Sequence, residues 1–277
     1  MNYCRWISQL LSKTVTAISL VALAIPGSTR SDEEPTLPEL EYGIGVVQLS
    51  MPQYRGSSIS NNQLIPFPYL KYRGEKLRVD DGIEGRLFKT PDLLLSISGN
   101  GSLPSSSKDS ERAGMQDLDA TVEFGPSLEL RLQSNEDASL WLELPLRFAF
   151  SVGSDISHIG QTFHPRLAWR WPARDKYDWK LRFAAGPLYA SSAYHGYFYN
   201  VDSSEVTAER AEYKADSGSS GQRLDFTFSR RIQKWWLGGF IRYDNLSGSA
   251  IADSPLVTDT SNWTAGLSLA YILSERN

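Results

Sequence analysis

Cysteine is almost absent from this sequence: the 277 residues contain one, Cys4. An internal disulfide needs two cysteines, and a zinc ribbon or a Cys-x-x-Cys redox motif needs at least as many. The sequence therefore excludes a disulfide-stapled secreted domain and a cysteine-ligated metal centre.

Long apolar runs and an excess of basic charge are also missing. No apolar stretch approaches the roughly 20 residues that a membrane-spanning helix requires, and the mean hydropathy is −0.33. The 28 Lys and Arg are outnumbered by 32 Asp and Glu, giving a net charge of −4. A multi-helix membrane protein is excluded, and no nucleic-acid partner is expected, because binding to phosphates depends on a basic surface.

The first residues have the pattern of an export signal. Arg5 and Lys13 precede an apolar stretch, 14–25, which is followed by Pro26-Gly27-Ser28. This order of charged, apolar and small residues predicts a cleaved signal peptide over 1–28, with an uncleaved amphipathic helix as the alternative. The acidic, proline-containing segment 29–40 is predicted to be a periplasmic N-terminal tether, and 41–277 to be the folded domain.

The rest of the chain alternates between apolar and polar residues with a period of two. Leucines at 128, 130 and 132 alternate with Glu129 and Arg131, and the same pattern continues over 139–151 and 261–273. Side chains point to opposite faces of a strand in turn, so this alternation predicts β-strands with one apolar and one charged face.

Strand length and the charged second face favour a membrane barrel over a soluble sandwich. Several segments reach ten residues, close to the about 9–11 that cross a bilayer at a tilt. Aromatic residues lie near strand ends, at Trp169, Trp171, Trp179, Trp235 and Trp236, as in the interfacial girdles of outer-membrane barrels. The fold class predicted is all-β, a transmembrane antiparallel β-barrel of the Gram-negative outer membrane. A soluble secreted β-protein with an aromatic core is the alternative.

Twelve strands account for the pattern, with short connections in the periplasm and long ones outside. They are 42–50, 64–72, 76–80, 83–89, 92–101, 118–132, 139–151, 161–171, 177–190, 222–231, 235–245 and 261–273. If 76–80 and 83–89 do not pair, the count becomes ten. The longest connection, 191–221, is interpreted either as an aromatic extension of the preceding strand or as a mobile loop.

Two sets of charged residues are the candidate sites. One set lies at mid-strand and is predicted to face the lumen: Glu123, Glu129, Arg131, Glu143, Arg147, Arg166, Arg170, Lys180, Arg182 and Arg242. These charges either pair across the lumen and plug it or line a small pore. The other set lies in the short turns, as candidate periplasmic contacts: Arg73, Glu75, Arg174, Asp175, Arg230, Arg231 and Lys234.

Catalytic chemistry finds little support in the sequence. Ser157, His158 and Asp155 supply the residue types of a hydrolase, but near neighbours in sequence cannot form a relay along a strand. His158, His164 and His195 match no zinc-ligand spacing. The sequence therefore predicts a non-enzymatic protein with no cofactor and no metal.

An ordered set of short motifs resembles the MipA/OmpV family of outer-membrane proteins. The motifs are Tyr54-Arg55-Gly56-Ser57, Pro66-Phe67-Pro68-Tyr69, the stretch 117–123 with Gly125, Leu246-Ser247-Gly248-Ser249-Ala250, Ser254-Pro255-Leu256-Val257 and the stretch 266–271. The resemblance implies an outer-membrane scaffold that joins the lytic transglycosylase MltA to a bifunctional peptidoglycan synthase. Adhesion through the outer loops is a further role that the resemblance implies, and a charge-lined channel is the alternative from the lumen charges.

Overall fold

Thirteen β-segments and one helix make up the part of the chain that this computed structural model describes, residues 37–80, 83–108 and 110–276. The strands are β1 (Leu40–Pro52), β2 (Ser60–Arg73), β3 (Leu77–Val79), β4 (Ile83–Lys89), β5 (Leu93–Ser102), β6 (Ala120–Ser134), β7 (Ser139–Val152), β8 (Ile156–Phe163), β9 (Arg166–Trp171), β10 (Lys180–Ala190), β11 (Gly218–Ile232), β12 (Trp235–Asn245) and β13 (Ser261–Arg276). The helix α1 is Ser192–Tyr199. The predicted signal peptide, 1–28, and most of the tether, 29–40, lie outside the described residues.

The strands close into an antiparallel barrel. Each pairs with its neighbours in sequence, and β1 pairs with β13 to complete the ring. The segments β8 and β9 both lie between β7 and β10, interrupted at His164-Pro165, so they form one broken strand of the wall. The predicted count of twelve is thus confirmed, and the ten-strand alternative is wrong because β3 and β4 do pair.

The wall is apolar outside and polar inside, the reverse of a soluble protein. Ile44, Leu64 and Leu267 are 64%, 66% and 55% exposed, whereas Glu123 and Glu143 are 7% and 2% exposed. An exposed apolar band around a polar interior is what a barrel in lipid requires. This distribution rules out the soluble alternative. Among the described residues, no helix combines the length and apolar character needed to span a bilayer.

Exposed aromatic side chains mark both rims of the barrel. At the end that carries the short turns, here the periplasmic end, Trp171, Trp179 and Trp235 are 36–47% exposed. At the outer end Trp263 is 63% exposed, and its ring lies 4.7 Å from that of Tyr243. Aromatic rings at these levels anchor a protein at the two membrane interfaces.

Two predicted connections differ from the structure. The expected long connection 151–160 is mostly strand, because β7 ends at Val152 and β8 begins at Ile156. The connection 191–221 is neither a strand extension nor an open loop. It begins with α1, whose first turn is capped by the Ser191 side chain accepting a hydrogen bond from the Tyr194 N–H.

The hairpin of β3 and β4 is much shorter than its neighbours. Only Tyr72 and Arg73 of β2 pair with β3, and on the other side β4 pairs with β5 no further up than Ser98. Beyond these levels, β2 from Ser60 to Lys71 pairs only with β1, and β5 from Gly99 to Ser102 pairs only with β6, within the described residues. The barrel wall therefore has a gap between β2 and β5 in its outer half.

Candidate functional site: the lumen and its cap

A network of two carboxylates and three arginines lies at mid-height on the lumen wall. Glu143 of β7 is 2% exposed and accepts hydrogen bonds from Arg166 Nε at 2.5 Å, from Arg182 Nη2 at 2.6 Å and from Arg170 Nη2. Arg170 also donates to Glu129 at 2.5 Å. These five residues, called the ionic layer below, lie on β6, β7, β9 and β10, where the period-two alternation points every second side chain inward.

A second cluster ties the short hairpin to the opposite wall. Asp80, at the tip of the β3–β4 hairpin, accepts hydrogen bonds from Lys71 Nζ at 2.6 Å and from Lys180 Nζ at 2.7 Å. Lys180 begins β10, on the far side of the ring from β3. The side chain of Asp80 is only 5% exposed, so this carboxylate is held inside the lumen.

The periplasmic mouth has its own buried carboxylate. Glu41 pairs with Arg73 at 2.8 Å and with Arg231 at 3.7 Å, and accepts a hydrogen bond from the Tyr69 hydroxyl at 3.0 Å. Two of the predicted contact residues, Arg73 and Arg231, are therefore engaged inside the barrel rather than displayed on a turn.

A third charged group lies in the outer half. Asp244 is bonded by Arg55 Nε at 3.0 Å and by Arg223 Nε at 2.9 Å, and Asp225 is bonded by Arg242 at 2.7 Å. The sequence analysis included only Arg242 of this group. Every second residue of β11 and β12 faces the lumen, and this alternation is the sequence signal that would have identified Arg223, Asp225 and Asp244.

The structure places all ten predicted lumen charges on the inner wall, but not in one cluster. Glu129, Glu143, Arg166, Arg170 and Arg182 meet in the ionic layer. Arg131 pairs with Asp92 at 3.0 Å near the periplasmic end, and Lys180 lies with Asp80. Glu123 and Arg147 lie further out, beneath the outer loops, and Arg242 is there with Asp225.

The remaining predicted turn residues are accessible. Glu75, Arg174, Asp175 and Lys234 are exposed at the periplasmic end. Arg174 pairs with Asp137 and donates to the Glu136 carbonyl at 3.0 Å, which links two adjacent turns. Arg230 points outward, with its guanidinium 5.4 Å from the ring centre of Trp179.

The outer end is closed by a packed cap of four loops, 53–59, 103–119, 191–217 and 246–260. Its apolar core comprises Tyr54, Met115, Leu118, Tyr199, Val201, Ala215, Leu246, Ile251 and Leu256. Leu246, Ile251 and Leu256 are 0% exposed, as in the core of a globular domain. A cap held by buried apolar surface is a fixed structure, because opening it returns that surface to water.

Polar contacts connect the loops of the cap. The Glu111 carboxylate accepts hydrogen bonds from the Thr258 hydroxyl at 2.6 Å, the Ser57 hydroxyl at 2.9 Å and the Ser58 N–H at 3.0 Å. Partial burial acts to raise the pKa of Glu111, but these hydrogen bonds to the ionised form outweigh it and lower the pKa. Arg210 donates to the carbonyls of Glu111 and Glu205 at 2.9 and 2.7 Å, joining two more segments.

His195 of α1 is fully buried in the cap. Its Nδ1 lies 2.6 Å from the Asp216 carbonyl and therefore donates, which leaves Nε2 to accept from the Ser220 hydroxyl at 2.5 Å. Burial lowers the pKa of His195, although the hydrogen bond to the Asp216 carbonyl acts the other way. The sequence offered no signal for this role, because the burial comes from packing over the barrel mouth.

The described residues enclose two cavities of note inside the barrel. The larger, called the vestibule, has about 740 Å³ and lies at the periplasmic end, from the mouth around Glu41 to the level of Arg170. Ten Lys and Arg line it, not counting the outward-pointing Arg230 at its rim, against seven Asp and Glu, so it is electropositive. The smaller, called the wall cavity, has about 140 Å³ and lies below the cap.

Comparisons with known proteins find related sequences and one similar structure. The profile of a family described as MltA-interacting protein MipA matches residues 44–273. Outer membrane protein Omp26La of Vibrio anguillarum is 26% identical over 208 residues, which covers 72% of this chain and 75% of the relative. OmpV of Vibrio cholerae is 27% identical over 210 residues with the same coverage. An outer membrane channel from Pseudomonas putida F1 has a TM-score of 0.42 at 12% identity, over 89% of this chain and 100% of that one.

Proposed function

The chain belongs to the MipA family of outer-membrane β-barrel proteins, and from that membership we propose that it is a non-enzymatic scaffold for peptidoglycan-remodelling proteins. The family description names an interaction with MltA. The partners proposed here are a lytic transglycosylase of that kind and a bifunctional peptidoglycan synthase. Lipids of the outer membrane surround the barrel.

The observation that carries the proposal is the difference between the two ends of the barrel. The outer end is covered by the cap, and the ionic layer lies on the lumen wall beneath it. The periplasmic end has the 740 Å³ vestibule and exposed charged turns at Glu75, Arg174 and Lys234. A protein with this asymmetry is suited to contacts made from the periplasm.

The charges of the periplasmic rim suit a contact that steers and aligns a partner. Exposed charges affect the association rate and the salt dependence of a complex more than its affinity. We expect capture of the transglycosylase at about 50 mM salt and its loss toward 1 M, since the Debye length falls from about 14 Å to about 3 Å over that range.

The test is capture of purified lytic transglycosylase and synthase by the detergent-purified barrel. Lys234→Glu and Arg174→Glu reverse charges at the periplasmic end, and we expect each to weaken capture several-fold. Lys214→Glu makes the same change on the exposed outer loop 191–217 and is the matched control. If the folded wild-type barrel captures neither protein at low salt, or if Lys214→Glu weakens capture as much as Lys234→Glu, the scaffold proposal fails.

A charge-lined channel is the second candidate, favoured by the electropositive lining of the vestibule. Conductance in planar bilayers separates the two: a scaffold closed by the cap and the ionic layer gives none, whereas a channel gives steady, anion-selective steps.

A further inference from the structure

The gap in the barrel wall is bounded by a strand edge that is adapted to having no neighbour. The N–H of Arg73 bonds to the Glu39 carbonyl, next to β1, so the odd-numbered residues of β2 direct their backbone groups toward β1. The even-numbered residues, among them Pro66 and Pro68, direct theirs toward the gap. Proline has no N–H, so two donors that would otherwise be unpaired in the membrane are absent.

The gap is wide enough for a small molecule. Adjacent strands lie about 4.8 Å apart, so β2 and β5, with two short strands between them lower down, are separated by about 14 Å above the hairpin. Asp80, which follows β3 directly, is held in the lumen by Lys71 and Lys180.

The end of β5 that borders the gap also borders the wall cavity. Asn100, Gly101 and Ser102, the last residues of β5, line it, and these residues lie beyond the last pairing between β5 and β4. Apolar side chains of the cap, including Leu118, Phe198 and Leu103, form its outer side.

Two hydrogen-bond donors in this cavity have no acceptor. Arg147 Nε is buried without a partner, and so is His164 Nε2. Arg166 can only donate to His164 Nδ1, at 3.4 Å, so the ring proton is on Nε2. The third unpartnered atom of the cavity, Gln53 Oε1, is an acceptor and takes no part in holding an anion. Leaving buried donors unpaired is costly, and a ligand that accepts hydrogen bonds from both donors would remove this cost.

Four arginines and two carboxylates, Asp119 and Glu123, line the cavity, so its lining carries a net positive formal charge. Among the described residues Arg147 forms no ion pair, and its one hydrogen bond is a long one of 3.3 Å to Ser98. The other three arginines of the lining are paired with Asp244 and Asp225. Glu123 faces the same cavity, with its two oxygens bonded by the hydroxyls of Thr162 and Tyr194.

We infer that the wall cavity binds an amphipathic carboxylate, which enters from the outer leaflet through the gap between β2 and β5. The carboxylate accepts hydrogen bonds from Arg147 Nε and His164 Nε2. A cavity of about 150 Å³ holds a molecule the size of benzene, so the 140 Å³ here takes the carboxylate and the first few carbons. The rest of the chain lies in the gap, among the lipids.

The test uses decanoate and the folded barrel in detergent, with binding measured by calorimetry. Decanol has the same chain without the carboxylate, and acetate has the carboxylate without the chain. We expect one decanoate per barrel and at least tenfold weaker binding of the other two. Arg147→Gln and His164→Leu each lower the affinity for decanoate tenfold or more, whereas Arg230→Gln, on the outer surface near Trp179, leaves it unchanged.

Entry of the carboxylate through the gap is tested by a substitution at the β5 edge of the gap. At Gly99 an added Cβ meets its nearest atom, the Glu123 carbonyl oxygen, at 3.5 Å, which is an ordinary contact distance, so the backbone there accepts a side chain. Gly99→Trp is expected to slow uptake of decanoate from vesicles without changing its final affinity.

Three results would overturn the inference: no binding of decanoate to the folded wild type, equal binding of decanol, or unchanged affinity in Arg147→Gln. Uptake at the wild-type rate in Gly99→Trp would overturn the lateral route. Heat-modifiable migration on gels verifies folding of each variant. The comparison of decanoate with decanol needs no variant, and none of these results depends on capture of a periplasmic protein.

Discussion

Replacing Glu143 with glutamine tests whether the ionic layer stabilises the barrel. The carboxylate accepts three charge-assisted hydrogen bonds and is the common partner of Arg166, Arg170 and Arg182. In Glu143→Gln the three guanidinium groups remain close together, with Glu129 as the one neighbouring carboxylate of the layer. Removing one partner of a buried ion pair costs about 3–5 kcal/mol, because the remaining charge loses its compensation.

The measurement is unfolding by urea in lipid vesicles, followed by tryptophan fluorescence. We expect the free energy of unfolding to fall by about 3–5 kcal/mol with an unchanged dependence on urea. Asp92→Asn is the matched control, because it neutralises a carboxylate that pairs with Arg131 while its own side chain is 78% exposed. An exposed pair contributes about 0–1 kcal/mol. A loss below about 1 kcal/mol in folded Glu143→Gln, or equal losses in both variants, would refute the stabilising role.

Three further predictions concern the barrel wall and the cap. In Gly125→Ala the new Cβ would lie 2.2 Å from the Leu146 carbonyl oxygen, so we expect the free energy of unfolding to fall by about 1–3 kcal/mol in the same urea titration. In the control Gly99→Ala the nearest atom is at 3.5 Å, and we expect almost no change. Burial lowers the pKa of His195 below its ordinary value of about 6.5, so the unfolded cap binds more protons than the folded cap at low pH. The stability of the cap is therefore constant above about pH 6.5. Below that pH it falls by at most about 1.4 kcal/mol per pH unit. Limited proteolysis at pH 7.5 and 5.5 measures this, and His195→Gln removing none of the pH dependence would contradict it. In Glu111→Ala the loop 103–119 loses its hydrogen bonds to Ser57, Ser58 and Thr258, so trypsin is expected to cleave after the exposed Lys108 several-fold faster; an unchanged rate would show that the apolar core alone holds the loop.

The wall of the barrel could be predicted from the sequence because its signal is local. Alternation along Leu140–Phe150 specifies both the strand and the face that carries Glu143. The same rule places Arg166 and Arg170 on one face of their strand. Identifying their common partner, Glu143, required the pairing of β7 with β9, because Glu143 lies 23 and 27 residues away from the two arginines in sequence.

The cap and the cluster at Asp80 could not be predicted in this way. The helix α1 has 8 residues, too few for a periodic pattern, and its stability comes from packing against the other loops. An Asp-Asp-Gly sequence indicates a hairpin turn, as predicted, but it gives no information about the level of the turn in the barrel. That level depends on the length of β3, which is only 3 residues.

The short β3 also accounts for the prolines of β2. Proline inside a strand normally argues against a central position in a sheet, because it cannot donate to the ladder. Here Pro66 and Pro68 lie on the edge that β3 leaves unpaired, where no strand requires their N–H. One hairpin of reduced length therefore explains three features together: the prolines of β2, the gap beside β5, and the reach of Asp80 to Lys180 across the lumen. Lengthening β3 upward would close the gap and move Asp80 away from Lys180, so a barrel of this family with a full-length β3 should lack both the prolines and the ion pair across the lumen.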